Sequence, residues 1–203
     1  MPQNTLFHTA YHLTKNKNKD ALTSMVEEGF CINTPQNGYS LVELLARQGD
    51  VESVEFLMAE FRANQDDAAK GYAQGGHVDQ VNMLVTKGAD RKLAALGYKM
   101  YMGDHPHEIS LLRLMSLTDD NEMRILLAEK MKEQMISLNL DPKLLLKKAE
   151  EIHVVMKEDS LTFFQAQQYL AIPASGFFSF FKSEETLRAN DSKYLNVSRP
   201  SLR

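Results

Sequence analysis

The densest set of potential ligands in this 203-residue chain is His105-Pro106-His107-Glu108. Two imidazoles and a carboxylate form a donor set that zinc accepts. The spacing, however, is not the His-x-x-x-His that puts both rings on one helix face. Pro106 predicts a turn at a helix start, so a solvated inter-helix turn is the expected role. Cys31 with His8 or His12 has the residue types of a thiolate–imidazole pair. Cys31 also occupies an apolar slot in Gly29-Phe30-Cys31-Ile32-Asn33, which predicts a buried structural thiol. The pairs Asp119/Asp120 and Glu150/Glu151 read as helix-end and solvent-face charge. No phosphate-binding loop, nucleophile elbow or dinucleotide fingerprint occurs. The expectation is therefore no catalytic residue, no metal and no cofactor. The rival expectation is a hydrolase or metal-dependent enzyme. Its site would use His105, His107 or Glu108, where the N-terminal helices meet the C-terminal ones.

Composition narrows the remaining classes. Lys and Arg number 23 against 27 Asp and Glu, a net charge of −4. That balance supplies no field to hold a phosphate backbone, so no nucleic-acid partner is expected. A single cysteine rules out an intramolecular disulfide and suits a reducing compartment. Met1-Pro2-Gln3-Asn4-Thr5 lacks the charged-then-apolar order of a secretory signal. No apolar run reaches the ~18 residues that cross a bilayer, so no stable membrane insertion is expected.

The elements that would position any site are repeated. Asn37–Leu57 and the stretch around Gly71–Leu84 superpose at an offset of 27 residues: Ala46/Ala73, Gly49/Gly76, Val51/Val78, Val54/Val81 and Leu57/Leu84. A third copy follows, with Gly97-Tyr98 after Gly71-Tyr72, Gly103 after Gly76, and Ile109 and Leu112 after Val81 and Leu84. A fainter one precedes them at Leu13, Leu22 and Met25. Each unit predicts a short apolar helix, a glycine turn and a second amphipathic helix. Gly49, Gly76 and Gly103 are expected at those turns, and Gly29 and Gly88 at the ends of second helices. One helix pair buries too little apolar surface to stand alone, so stacked pairs sharing a core are expected.

In this register the chain resembles the ankyrin-repeat family. Asn37-Gly38-Tyr39-Ser40-Leu41-Val42-Glu43 aligns with the family's hairpin and Thr-Pro-Leu-His stretch, without its proline and histidine. Lys87-Gly88-Ala89-Asp90 and Gly29-Phe30-Cys31-Ile32-Asn33 resemble its closing Gly-Ala-Asp-Val-Asn run. Two spacings near 27 fall short of the usual ~33, which predicts short connections in place of later hairpin fingers. The resemblance implies an all-α, ankyrin-like solenoid over residues 5–116 that binds a protein partner through its concave face. It places Tyr39 at a finger and Arg47 and Gln48 on an inner helix. Transfer along the repeats adds Lys15, Gln74 and Tyr101, all expected to be exposed on one side. Tyr72 and Tyr98 map to packed positions. The form of these repeats is similar to ankyrin-like effectors of intracellular bacterial pathogens, which implies type IV secretion from the bacterial cytoplasm into a host-cell cytoplasm. A host protein would then be the partner.

Beyond the repeats, a helical region or cap is expected over 117–181 and a mobile polar tail over 182–203. Asp119 or Asp120 predicts a cap for a helix running through Met135. Asp141-Pro142 predicts the next start, with Leu145, Ala149, Ile152 and Met156 inward. Ser160-Leu161-Thr162 opens a third helix carrying Phe163, Phe164, Ala166 and Tyr169. Phe177, Phe178, Phe180 and Phe181 are expected to dock on these helices. Glu184 and Glu185 resemble the acidic cluster of a C-terminal secretion signal.

Overall fold

The computed structural model describes residues 3–170, and every regular element among them is an α-helix. The expectations for Phe177–Phe181, the tail, Glu184 and Glu185 lie outside the described residues. In chain order the helices are α1 (Gln3–Lys15), α2 (Lys19–Glu27), α3 (Leu41–Arg47), α4 (Val51–Phe61), α5 (Gln65–Gln74) and α6 (Val78–Thr86). They continue as α7 (Arg91–Asp104), α8 (Glu108–Leu117), α9 (Asn121–Lys130), α10 (Lys132–Ser137), α11 (Pro142–Glu158) and α12 (Phe163–Tyr169).

Short polar side chains start most of them. Asn18, Ser40, Asp50, Asn64, Asp90, Asp141 and Thr162 each accept a hydrogen bond from a backbone N–H of the first turn. Thr162 and Gln165 complete a reciprocal capping box. Asp120, not Asp119, begins α9, accepting from the Met123 N–H at 2.9 Å. That helix stops at Lys130, and the stretch expected to continue it to Met135 restarts as α10.

The chain divides into two compact units. The first comprises 3–105 with 117–130, and the second 106–116 with 131–170. A boundary at 116/117 was expected from the sequence. Instead α9 returns to the first unit, where it packs on α7 and Arg91 pairs with Asp120 at 2.6 Å.

In the first unit, α1, α3, α5, α7 and α9 pack successively, each on the next. Helices α2, α4 and α6 pair with α1, α3 and α5. Leu22, Leu41, Leu45, Leu57, Leu84, Tyr72 and Tyr98 fill the shared core. Between α3 and α4, and between α5 and α6, the chain turns at Gly49 (φ +75°) and Gly76 (φ +73°), a conformation that strains any side chain. Gly103 departs from this pattern. It lies within α7, which runs on to Asp104, and the turn falls at His105-Pro106-His107 instead.

Gly71 and Gly97 do something else. A Cβ on Gly71 would sit 2.3 Å from the Glu43 carbonyl oxygen and 2.9 Å from Ala46 Cβ. One on Gly97 would sit 2.3 Å from the Lys70 carbonyl oxygen and 2.8 Å from Ala73 Cβ. The repeated Gly-Tyr dipeptide thus marks where successive inner helices touch backbone to backbone.

In the second unit the core is Leu111, Leu112, Met115, Met131, Met135, Leu145, Ala149, Ile152, Phe163 and Ala166. His153 donates from Nδ1 to the Ser116 carbonyl at 2.8 Å. Met156 is only half-buried. Phe164 and Tyr169 are 58% and 69% exposed. Helix α12 is seven residues long and buries a single stripe through Phe163, Ala166 and Gln167, which leaves its other face open.

Candidate functional site

The connection between α2 and α3 is the one long loop of the first unit. It carries Gln36-Asn37-Gly38-Tyr39, in which Gln36 and Tyr39 exchange backbone hydrogen bonds at 2.8 and 3.1 Å. Asn37 (φ +54°) and Gly38 (φ +88°) give the two positive-φ central residues of a type I′ turn, the geometry that Asn-Gly favours. The hairpin stands beside α1 and α3 and encloses a groove of ≈ 330 Å³ with them. Phe7 and Leu44 supply its apolar lining. His8, Tyr11, His12, Gln36, Asn37 and Gln48 supply the polar one. None of these eight residues is buried, so none is committed to the core.

Hydrogen bonds hold part of the groove in place. Tyr11 donates its phenol proton to Gln48 Oε1 at 2.8 Å, tying α1 to the end of α3. One turn further on, Lys15 pairs with Asp50 at 2.6 Å. The Asp50 bond holds the Lys15 ammonium above its usual range. Burial alone would raise the Asp50 carboxyl, but the hydrogen bonds from Lys15 and Ser53 outweigh it and hold Asp50 below its ordinary value.

The sequence-derived residues divide. Gln48 lines the groove. Arg47 and Tyr39 meet, with the guanidinium carbon 5.8 Å from the ring centroid and Nη1 donating to the Tyr39 hydroxyl at 3.4 Å. Arg47 also stands 3.8 Å from Asp104. Tyr101 is half-buried. It covers Gly76, where a Cβ would meet its ring at 2.6 Å, and stacks on His105 with centroids 4.4 Å apart. Lys15 is exposed but engaged with Asp50.

The exposure expected of Gln74 is not found, since it is 5% exposed. Its Nε2 donates to Glu43 Oε1 at 2.9 Å and to Met100 Sδ at 3.2 Å, so it bridges α3, α5 and α7 instead of facing outward. Lys70 reaches the same Glu43 oxygen at 2.7 Å. Glu43, aligned with the histidine of the resembled family, is thus buried with two donors, as a buried carboxylate must be.

Cys31 also differs from expectation, being exposed. It sits in the α2–α3 loop, ahead of the hairpin. The Thr34 hydroxyl and nearby backbone N–H groups hold its thiol below the ordinary range. His105 donates from Nδ1 to the Tyr101 carbonyl at 3.0 Å, which is a helix-end contact. Among the described residues no three His, Cys, Asp or Glu side chains cluster as a metal site. Tyr72 and Tyr98 are buried, which pushes both phenols far up.

Residue transfer along the repeats did not reach Phe7, Tyr11 or Asn37. The available signal was Asn37-Gly38, whose hairpin geometry fixes the groove wall. Comparison with protein-family models, with curated proteins and with solved structures finds no match to this chain.

Proposed function

We propose that this chain is a protein-interaction module built on an ankyrin-like solenoid, and that it docks a partner in the groove between α1, the Gln36–Tyr39 hairpin and α3. The observation that carries the reading is that groove. It gathers aromatic, amide and imidazole side chains from three elements, and leaves all of them accessible. Tyr39 and Arg47 beside it are residue types that dominate binding energy at interfaces. The setting we propose, a bacterial effector exported by type IV secretion to act on a host protein, rests on the resemblance of the repeats alone. So does the role of Glu184 and Glu185 in export.

The test is affinity capture from host-cell lysate by the full chain and by the Arg47→Ala/Gln48→Ala variant. Both side chains are exposed, but Gln48 also accepts from Tyr11, so the variant's melting temperature is measured beside its binding. A specific partner should be retained by the parent and weakened by about 2 kcal/mol or more in the variant. Equal retention by the two proteins would exclude the groove. Export is tested separately: removing residues 184–203 should abolish translocation in a reporter assay, and normal translocation would remove the signal from the proposal.

A further inference from the structure

We propose that His8 and His12 form a two-imidazole chelate for a divalent ion of the zinc-to-copper class. They stand at i and i+4 on α1, and both are exposed on the groove side of the helix. Their Nε2 atoms lie 3.3 Å apart and their ring centroids 4.4 Å apart. Zinc–imidazole bonds are about 2.0–2.1 Å long, so two of them spanning 3.3 Å meet at roughly 107°, close to the tetrahedral angle. The separation already matches the bite of a chelate. Chelation requires rotation about the Cβ–ring bonds, so that both lone pairs turn toward one point.

The surroundings keep the pair in place. Ala10 and Thr14, on the opposite side of α1, are fully buried, so the helix that sets the spacing is anchored. His12 lies edge-on to Tyr11 at 5.5 Å, and Tyr11 is itself held by Gln48. Among the described residues, the hydrogen bond between the two rings is the only one either makes. Without a metal, one ring donates Nε2–H to the other. With a metal, both Nε2 lone pairs go to the ion and both protons stand on Nδ1.

Neutral nitrogen donors select against magnesium and calcium, which prefer oxygen, and favour zinc, nickel and copper. No third His, Cys, Asp or Glu of the described residues completes the set. The remaining positions are therefore filled by water, or by a donor from whatever occupies the groove. This site goes beyond the docking reading, because an ion can bind with no partner present.

The probe is Zn²⁺ alone, titrated into the full chain free of any added histidines and in a buffer without chelators. One zinc per chain is expected by calorimetry. His8→Ala and His12→Ala should each weaken binding about tenfold or more, since losing even an outer partner of a ligand costs about 10–100-fold. Cys31→Ser should bind as the parent does, which separates the chelate from the exposed thiol. The ring signals of His8 and His12 in the parent's NMR spectrum should shift together as zinc is added, a readout that needs no variant. Failure of those two signals to move, or unchanged affinity in the double His8→Ala/His12→Ala variant, would overturn the assignment. Loss of partner capture with zinc binding intact would instead count against the docking reading alone.

Discussion

Three glycines in helices of similar sequence meet different surroundings, and that difference is measurable. Gly71 and Gly97 have neighbouring backbone at 2.3 Å from a Cβ position, whereas Gly103 has nothing within 4 Å. Alanine in a helix gains about 1 kcal/mol over glycine. At Gly103 that gain stands alone, so Gly103→Ala should stabilise by about 0.5–1 kcal/mol. At Gly71 the methyl group meets a carbonyl oxygen that no rotamer change can move aside. Gly71→Ala should therefore destabilise, by about 1–3 kcal/mol. Urea melts of the two variants check the opposite signs, and stabilisation by both would mean the inner helices do not touch at Gly71. The repeat in the sequence made Gly103 look like a turn, because its spacing from Gly76 equals that of Gly76 from Gly49. Spacing alone does not show that α7 is longer and that Pro106 moves the turn outward. Cys31 misled in the same way: its neighbours resemble a packed closing run, and whether another layer covers it is a tertiary fact.

Among elements, the signals that were legible are those with a local cause. Asp141-Pro142 starts a helix because one residue caps and the other cannot sit further in. Gly49 and Gly76 turn because other residues would be strained. What stayed hidden are bonds between successive loops of the first unit. Asn33 Oδ1 accepts from the Asn64 N–H at 2.9 Å, and Asp66 Oδ1 from the Asp90 N–H at 2.8 Å. These bonds lace successive loops together across 31 and 24 residues of chain. Arg62, at φ +52° after α4, takes the place that Gly88 holds after α6, so the closing run there lost its recognisable glycine. Gln74 was misplaced because its partners, Glu43 and Met100, belong to the neighbouring helices.

One of these ties between elements has a pH signature. The Arg91 hydrogen bond holds the Asp120 carboxyl below its ordinary range, despite partial burial. A carboxyl whose folded value is depressed adds stability that is fully present above its unfolded value, near 4. That stability is lost as pH falls through the lower folded value. Arg91→Ala should therefore reduce the melting temperature near neutral pH and converge with the parent in strong acid. A difference that stays constant from neutral pH down to about 2 would show that the pair contributes by packing and not by charge.

At the scale of the whole chain, the two units are interleaved in sequence: the first gives up 106–116 to the second and regains 117–130. A cut at 116/117, where the repeats end by sequence, should thus leave the first unit incomplete. It removes α9, and with it Met123 and Leu127, both essentially fully buried. It also removes the Asp120 partner of Arg91 and the Arg124 side chain, which donates to the Thr118 carbonyl at 2.9 Å. Burying two such apolar side chains contributes about 1.5–3 kcal/mol each. Fragment 1–130 keeps all of these groups and fragment 1–116 loses them, together with Leu117 at the end of α8, whose carbonyl accepts from Asn82 Nδ2 at 2.8 Å. We expect 1–116 to unfold at a lower temperature than 1–130 and to bind more of an apolar dye. Equal melting temperatures would mean that α9 contributes little to the first unit, and that the repeats end where the sequence pattern does.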